Sequence, residues 1–333
     1  MSKIATDDEF IAAWQRLGSA RKVSGALGVS IRQVYSRRRA IETRHGIQLK
    51  SPEPPLNLQQ TYKMKVAQRT DELAAKRANE YHQEIPYEIK NGVILIASDA
   101  HYWPGLVTVA HEAFCAVAKK LKPKAVIMNG DILDGARISR HPRSVWQKQP
   151  LLKDELHAVQ DRLAEIARAA KGADLMRTIG NHDARFENYL CQNAPELEEM
   201  DGSTLLDYLP EWKAGWAIHI NRNTDGWTTV RHRPVGGGVH SAFNSTLKSG
   251  VHYVHGHLHK LNITPWSDYR GRRYGVDTGT LAEPYGAQFD YTEAGPANWA
   301  SGFAVLTYKD GYLLQPEMVV VERGKAWFRG EAV

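Results

Sequence analysis

Four short blocks hold the residues of this chain best suited to chemistry: Asp99-Ala100-His101, Gly130-Asp131, Gly180-Asn181-His182-Asp183 and Gly256-His257-Leu258-His259. Aspartate offers two hard oxygens, asparagine a neutral carbonyl oxygen, and histidine a nitrogen of intermediate softness. That mixture suits manganese, iron, zinc or a mixed pair, rather than a thiolate-loving metal or an all-oxygen calcium site. In extended backbone, residues two apart point the same way, so the spacing predicts that Asp99 and His101 grip one ion. His257 and His259 share that spacing and can hold one ion together or divide between two. Gly130 permits a sharp turn that aims Asp131 at the ion. A carboxylate with two oxygens can bridge a pair of metals.

A further donor is expected between residues 184 and 250, where His219, His232, His240 and His252 are the candidates. His232 follows the strand-like run Thr228-Thr229-Val230-Arg231, so it stands at a strand end like the others. His240 is the alternative, as the lead-in to a helix over 241–249. His219 and His252 are otherwise read as structural, as are His141 and His157, and His111 as a solvated helix residue.

The elements that must position these groups are legible as well. Residues 93–97, 125–128 and 251–254 are apolar runs that read as buried strands, and 175–179 is a weaker run broken by Arg177. Residues 106–121 and 152–170 carry apolar side chains three and four apart, the pattern of amphipathic helices. Strands alternating with such helices imply βαβ units. An open α/β sheet binds its ligands beyond the carboxyl ends of its strands. After about residue 212 the runs 217–220, 228–231, 272–276, 303–308, 312–314 and 318–321 are β-like, so a second sheet is implied.

Taken in order, the four blocks resemble the calcineurin-like metallophosphoesterase family over residues 93–260, and in particular its phage-encoded branch with a helix-turn-helix in front. The resemblance implies an α/β fold with a two-sheet αββα sandwich. It also implies two divalent metal ions, manganese first, with iron or zinc as alternatives. Asp99, His101 and His259 would hold one ion, and Asn181, His232 and His257 the other, with Asp131 bridging. A hydroxide between the metals would attack phosphorus in line. His182 would protonate the leaving oxygen, and Asp183 would orient His182. The chain departs from the family pattern at Arg233, where glycine commonly follows the histidine, and at Leu258, where threonine is common.

Around this set, Tyr102, Trp103 and Arg185 flank the expected mouth. Arg137, Arg140 and Arg143 form a basic loop suited to recruiting phosphate. Arg137, Arg140 and Arg185 are the expected substrate contacts, while Asp134 and Gly135 are expected to shape the loop. The run Gly236-Gly237-Gly238 lacks the Gly-Lys-Ser/Thr ending of a P-loop and reads as a flexible loop.

The 333 residues carry a net charge of +6. All of it lies in residues 1–50, which hold ten basic and four acidic side chains; the remainder holds 33 of each. So local an excess points to a polyanionic partner. Residues 7–46 read as three short helices. Ser30 caps the third, with Ile31, Val34 and Tyr35 expected on one side and Arg32, Gln33, Ser36, Arg37 and Arg39 on the other. Residues 20–42 resemble the helix-turn-helix segments of phage and bacterial regulators, and the five polar residues are the expected DNA contacts. The domain reading is therefore a basic helical domain over 1–47, a partly helical linker over 48–90 containing the break Ser51-Pro52-Glu53-Pro54-Pro55, and the catalytic domain over 91–333.

Two isolated cysteines, Cys115 and Cys191, exclude a disulfide framework and a cysteine zinc site, and each is expected to be a small buried hydrophobe. No run has the ~18 apolar residues of a membrane span, and the first residues lack the apolar core of a signal peptide. A cytoplasmic protein is expected, in the host cytoplasm if phage-encoded. The expected function is metal-dependent phosphoester hydrolysis on nucleic acid, by a nuclease or a DNA or RNA phosphatase. The enzymatic alternative is a small-molecule phosphatase or cyclic-nucleotide phosphodiesterase. The alternative of another class is a DNA-binding or assembly protein with a structural metal.

Overall fold

The computed structural model describes residues 5–50, 82–141, 148–198, 200–292 and 297–333. It divides into two compact units, residues 1–78 and 79–333.

The first unit is built from three capped helices, α1 (Asp7–Leu17), α2 (Ala20–Leu27) and α3 (Ile31–His45). Thr6, Ser19 and Ser30 accept from backbone N–H groups at the three starts, and Gly18, Gly28 and Gly46 end the helices in the left-handed conformation. Phe10, Trp14, Val23, Val34, Ile41 and Leu49 form its core. Trp14 Nε1 donates to the carbonyl of Lys50 at 3.3 Å, so the packed unit runs a little past the expected boundary at residue 47. The faces of α3 differ from the expectation. Val34 is buried, but Ile31 and Tyr35 are exposed beside Arg32, Ser36 and Arg39. Arg37 turns back instead: it lies over the Phe10 ring at 5.6 Å, donates to the Ala5 carbonyl and stands 3.6 Å from Asp7. Gln33 is held in the capping box, accepting from the Ser30 N–H.

The second unit begins with β1 (His82–Tyr87), within residues expected to be linker. This strand pairs in parallel with the later β5 (Lys213–Ile220). Residues 51–81 of the expected linker, with its proline-rich break, lie outside the described residues. Next come β2 (Gly92–Ala97), α4 (Val109–Leu121), β3 (Ala125–Asn129), α5 (Leu152–Ala169), β4 (Asp174–Thr178), α6 (Arg185–Asn193) and the short α7 (Leu205–Tyr208). After β5 follow β6 (Thr228–Val230), α8 (Ser241–Ser249), β7 (His252–His255), β8 (Leu261–Asp268) and β9 (Gly271–Thr278). The chain ends with β10 (Gly302–Lys309), β11 (Tyr312–Leu313), β12 (Glu317–Glu322), β13 (Lys325–Phe328) and β14 (Glu331–Ala332).

Hydrogen bonds link the strands in the order β14-β13-β12-β10-β2-β3-β4-β5-β6-β7-β9-β8. The two expected sheets are thus one continuous ladder, and side-chain burial shows how it makes two layers. Along β2, Leu95 and Ala97 join a core with Phe114 and Val117 of α4 and Val159 and Leu163 of α5. The alternate residues Ile94 and Ile96 join a second core with Val254 of β7 and Val276 of β9. Those strands are remote from β2 along the ladder, so the sheet folds over itself, with β5 and β6 joining the halves. On the far face, Phe243 of α8 packs edge-on against Trp266 of β8 at 5.3 Å. The layers therefore run helix, sheet, sheet, helix. Burial on both faces is why β2 and β3 read as unbroken apolar runs rather than alternating ones.

Candidate metal centre

The loops that leave β2, β3, β4, β6 and β7 at their carboxyl ends converge; four of them carry the blocks and the one after β6 carries His232. Asp99, His101 and His259 bring donor atoms within 4.8 Å of one another, and Asp131, His232 and His257 do the same. His259 stands in the first of these groups and His257 in the second. The expected reason for the Asp99 and His101 pairing does not hold. Asp99 and His101 are not extended but left-handed, with φ of 52° and 40°. Asp131, His257 and His259 are left-handed too, at 53°, 71° and 56°. A non-glycine residue in that region is strained by about 1–3 kcal/mol, so five such residues around one site are held there by their surroundings.

The holding contacts are visible. Asp99 Oδ2 accepts from the His257 N–H at 2.9 Å, and Asp131 Oδ1 from the His182 N–H at 2.7 Å. The 99–102 segment is stitched to the β3 loop by Asp99 N–H to Gly130 O and His101 N–H to Asp131 O, both 3.0 Å. Two glycines leave room for the carboxylates. A Cβ on Gly180 would meet Asp131 Oδ1 at 2.0 Å, and one on Gly256 would meet Asp99 Oδ2 at 2.4 Å.

With their outer atoms so engaged, the inner atoms face one another. Asp99 Oδ1, His101 Nε2, Asn181 Oδ1 and His232 Nε2 are buried and make no well-formed hydrogen bond among the described residues, and His259 presents its Nε2 to Asp99 Oδ1 at 3.1 Å. Buried polar atoms are normally satisfied, so this cluster of oxygens and imidazole nitrogens is suited to cations. His232 Nδ1 donates to the Asn129 carbonyl at 2.9 Å, so in the neutral ring Nε2, 3.0 Å from Asp131 Oδ2, is the nitrogen that carries the lone pair. Such a backbone anchor fixes the tautomer a metal needs. His240 instead is exposed at the start of α8.

The field of the site is negative. Burial disfavours charge on Asp131, but the imidazoles of His232 and His182 outweigh it and hold its carboxyl well below the usual range. Burial likewise opposes the charged form of His232, yet Asp131 and Asp99 push its pKa up to about 10. The field that raises an imidazole is the one a divalent cation would feel. For His101, burial is the leading influence and its pKa falls.

His182 stands beside this cluster. Its Nδ1 is 3.1 Å from Asp134 Oδ1 and 3.0 Å from the Asp134 carbonyl, and its Nε2 is 3.0 Å from Arg185 Nη2. Asp183 does not orient it, contrary to expectation. The Asp183 carboxylate accepts the N–H groups of Asp131, Ile132, Leu133 and Gly180 and so braces the loop that presents Asp131. The orienting residue is Asp134, which also bonds His101 Nδ1 at 3.0 Å. The close grouping of His101, Asp134 and His182 is therefore a hydrogen-bond network.

Two cavities open on the site. One, of about 430 Å³, is lined by Trp103, Asn181, His182, Arg185 and Gln288. The other, of about 790 Å³, reaches Asn181 and His232 and is bordered by Arg140. Arg185 lines both. Arg137 donates to the Gln149 carbonyl at 3.1 Å, and Arg143 lies outside the described residues. Tyr102 does not line the mouth; it is buried, with its hydroxyl 3.1 Å from His111 Nδ1. His111 is likewise buried rather than solvated, and bonds Glu165 at 2.9 Å. Phe289 and Trp299 pack on His259 at 5.5 and 4.6 Å between ring centres, and nothing in their sequence context announces it. Cys115 is half-buried and Cys191 exposed, so neither is the fully buried residue expected.

The family model for calcineurin-like phosphoesterases matches residues 92–282. The chain belongs to the calcineurin-like phosphoesterase family. It is a metal-dependent phosphoester hydrolase, and its family uses divalent metals. Among proteins similar to this phosphoesterase, gene 54 protein of Mycobacterium phage L5 is 30% identical over 221 residues, covering 61% of this chain and 84% of that one. Gene 54 protein of Mycobacterium phage D29 is 28% identical over 222 residues, with the same coverage. A zinc complex of Vps29 from Entamoeba histolytica aligns with 72% of this phosphoesterase and 98% of its own chain, at 14% identity and a TM-score of 0.40. Among the described residues of the phosphoesterase, no helix is long and apolar enough to cross a membrane.

Proposed function

We propose that the protein hydrolyses phosphodiester bonds of nucleic acid with two divalent cations, manganese foremost, in the cytoplasm of a phage-infected host. Asp99, His101 and His259 are assigned to one ion, Asn181, His232 and His257 to the other, and Asp131 to both. The observation that carries the reading is the set of unpartnered buried donors, in two adjoining groups, at the strand ends. Two cations so held would lower the pKa of bound water and stabilise charge on the attacking and leaving oxygens.

The chain's own groups divide the remaining work. Arginine can only donate, so Arg185 Nη2 donates to His182 Nε2 in this arrangement. A substrate phosphate that draws the guanidinium to itself frees that nitrogen; burial opposes charge on His182, but Asp131 and Asp134 raise its pKa, so the freed Nε2 takes up a proton from solvent and His182, oriented by Asp134, passes it to the leaving oxygen. The nucleic-acid substrate is supported by the basic three-helix unit, whose third helix exposes Arg32, Gln33, Ser36 and Arg39, with the Gln33 amide engaged in the capping box and Arg37 turned back onto the unit.

The test is turnover by purified protein with manganese on an aryl phosphodiester, an aryl monoester, cyclic nucleotides and oligonucleotides. Cleavage of oligonucleotides, abolished in His182→Ala with metal still bound, is expected. Turnover confined to monoesters or cyclic nucleotides would favour the small-molecule reading. No turnover on any of them would favour a binding or assembly protein.

A further inference from the structure

We infer that the larger cavity is a channel for single-stranded nucleic acid, with Trp216 as a stacking platform beside the metal centre. The inference rests on the nucleic-acid reading of the active site and adds to it the strand form and the residues that hold it.

Among the described residues, the lining of this groove contains four arginines, Arg140, Arg185, Arg231 and Arg233, and not one aspartate or glutamate. Outside residues 1–50 the chain is formally neutral, so such a run of one sign is a local feature. Arg140, Arg231 and Arg233 are exposed, and none is paired to an acid among the described residues. Cations left unpaired around a concave surface suit an anionic ligand. The same lining holds two exposed rings, Trp216 of β5 at 47% exposure and Tyr189 of α6 at 44%. The same groove is lined by Asn181 and His232 of the metal centre, so a backbone lying in it leads to that centre.

Arginines for phosphates with aromatic faces for bases is the arrangement that binds single strands without strict sequence preference. A duplex fits it less well. Its base faces are covered by their neighbours, so an exposed indole finds no partner there, whereas an unpaired base offers its whole face. Arg231 and Arg233 flank His232, so the groove's cations and a metal-centre histidine sit on one loop beyond β6. This also gives Arg233, where the family pattern commonly has glycine, a ligand-facing role.

The experiment uses full-length His182→Ala protein, in EDTA so that no cleavage occurs, with a fluorescein-labelled twelve-nucleotide oligothymidylate and a duplex of the same length. Adding Trp216→Ala should weaken single-strand binding by about tenfold, within the range set by one lost stacking contact, and leave duplex binding unchanged. Trp216→Phe should restore most of it. Arg231→Ala with Arg233→Ala should reduce the slope of log affinity against log salt by about 1.4, as for two single-strand phosphate contacts. Melting temperatures of the variants confirm that they are folded. Single-strand affinity unchanged in Trp216→Ala, or equal loss with the duplex, overturns the assignment. Cleavage by the unmodified protein is scored separately. If the oligonucleotide is cut but Trp216 does not matter, the groove assignment falls and the catalytic reading stands. If Trp216-dependent binding occurs without cleavage under manganese, the groove stands and the catalytic reading falls.

Discussion

Asp134 Oδ1 lies 3.1 Å from Nδ1 of His182, and the carbonyl oxygen of Asp134 lies 3.0 Å from that same nitrogen. The same Oδ1 bonds His101 Nδ1 at 3.0 Å, so one carboxylate oxygen orients both a metal-facing imidazole and the proposed proton donor. Burial opposes the charge, but hydrogen bonds from His101 and His182 hold the Asp134 carboxyl well below its usual range. Asp134→Asn should lower kcat by roughly 10–100-fold, the usual cost of losing such an outer partner. KM for an aryl diester should change much less. Steady-state kinetics with manganese titration checks this, and a kcat equal to wild type would remove Asp134 from the mechanism.

Cations should stabilise the fold, because the donors they would join are buried without partners. Manganese at about 100 times its dissociation constant contributes roughly 2.7 kcal/mol of stability. For a chain of this size that corresponds to a Tm rise of about 4 °C over the EDTA-treated protein. Gly180→Ala should abolish the rise, since its Cβ would lie 2.0 Å from Asp131 Oδ1 and displace it. Scanning calorimetry with and without metal reads both. A wild-type Tm indifferent to manganese would contradict the ligand assignment.

Glu155 sets a pH dependence. It is fully buried and accepts the Gly135 N–H at 2.7 Å and the Ala136 N–H at 3.3 Å. Burial, and then the charge of Asp134, push its pKa up from 4.5 to about 7. The folded state therefore favours the protonated acid. That contribution is fully present below pH 4.5 and is lost as pH rises through 7. At most it is worth about 3 kcal/mol. In EDTA, wild-type stability should fall between pH 5 and 8 by more than that of Glu155→Gln, which cannot ionise. Parallel urea-unfolding curves for the two proteins would disprove the assignment.

For the basic unit, duplex DNA binding should be salt-sensitive and vanish when residues 1–50 are deleted. Arg32→Ala with Arg39→Ala should lower the salt slope by about two, one for each phosphate contact. Arg37→Ala should act differently, loosening the unit through the lost contacts with Phe10, Asp7 and the Ala5 carbonyl. Fluorescence anisotropy across a salt series separates these effects, and undiminished duplex affinity after deletion would refute the proposal.

Much of this site is legible in one dimension because metal-binding side chains are chemically distinctive and stand just after apolar runs. Asp99, His101, Asp131, Asn181, His257 and His259 are recognisable that way, and His232 by its place after 228–231. The helical unit is legible through its caps, since Ser30 and Gly28 act within a few residues of themselves. The same local logic misjudged His82–Tyr87, because a polar edge strand gains its pairing from β5, more than a hundred residues away.

What the order of residues determined by itself is the inventory: which donors exist, that they end strands of an α/β sheet, and that the positive charge sits in front. Tertiary structure alone decided who faces whom. Asp134 rather than Asp183 holds His182, because Asp183 is consumed by four backbone N–H groups of converging loops. Asp99 and His101 serve one group through left-handed turns rather than extended backbone, and Phe289 and Trp299 close over His259 from the far end of the chain. Each of these depends on the direction of a side chain in an irregular loop. Such directions are set by hydrogen bonds and packing between segments distant in sequence, which spacing along the chain does not encode.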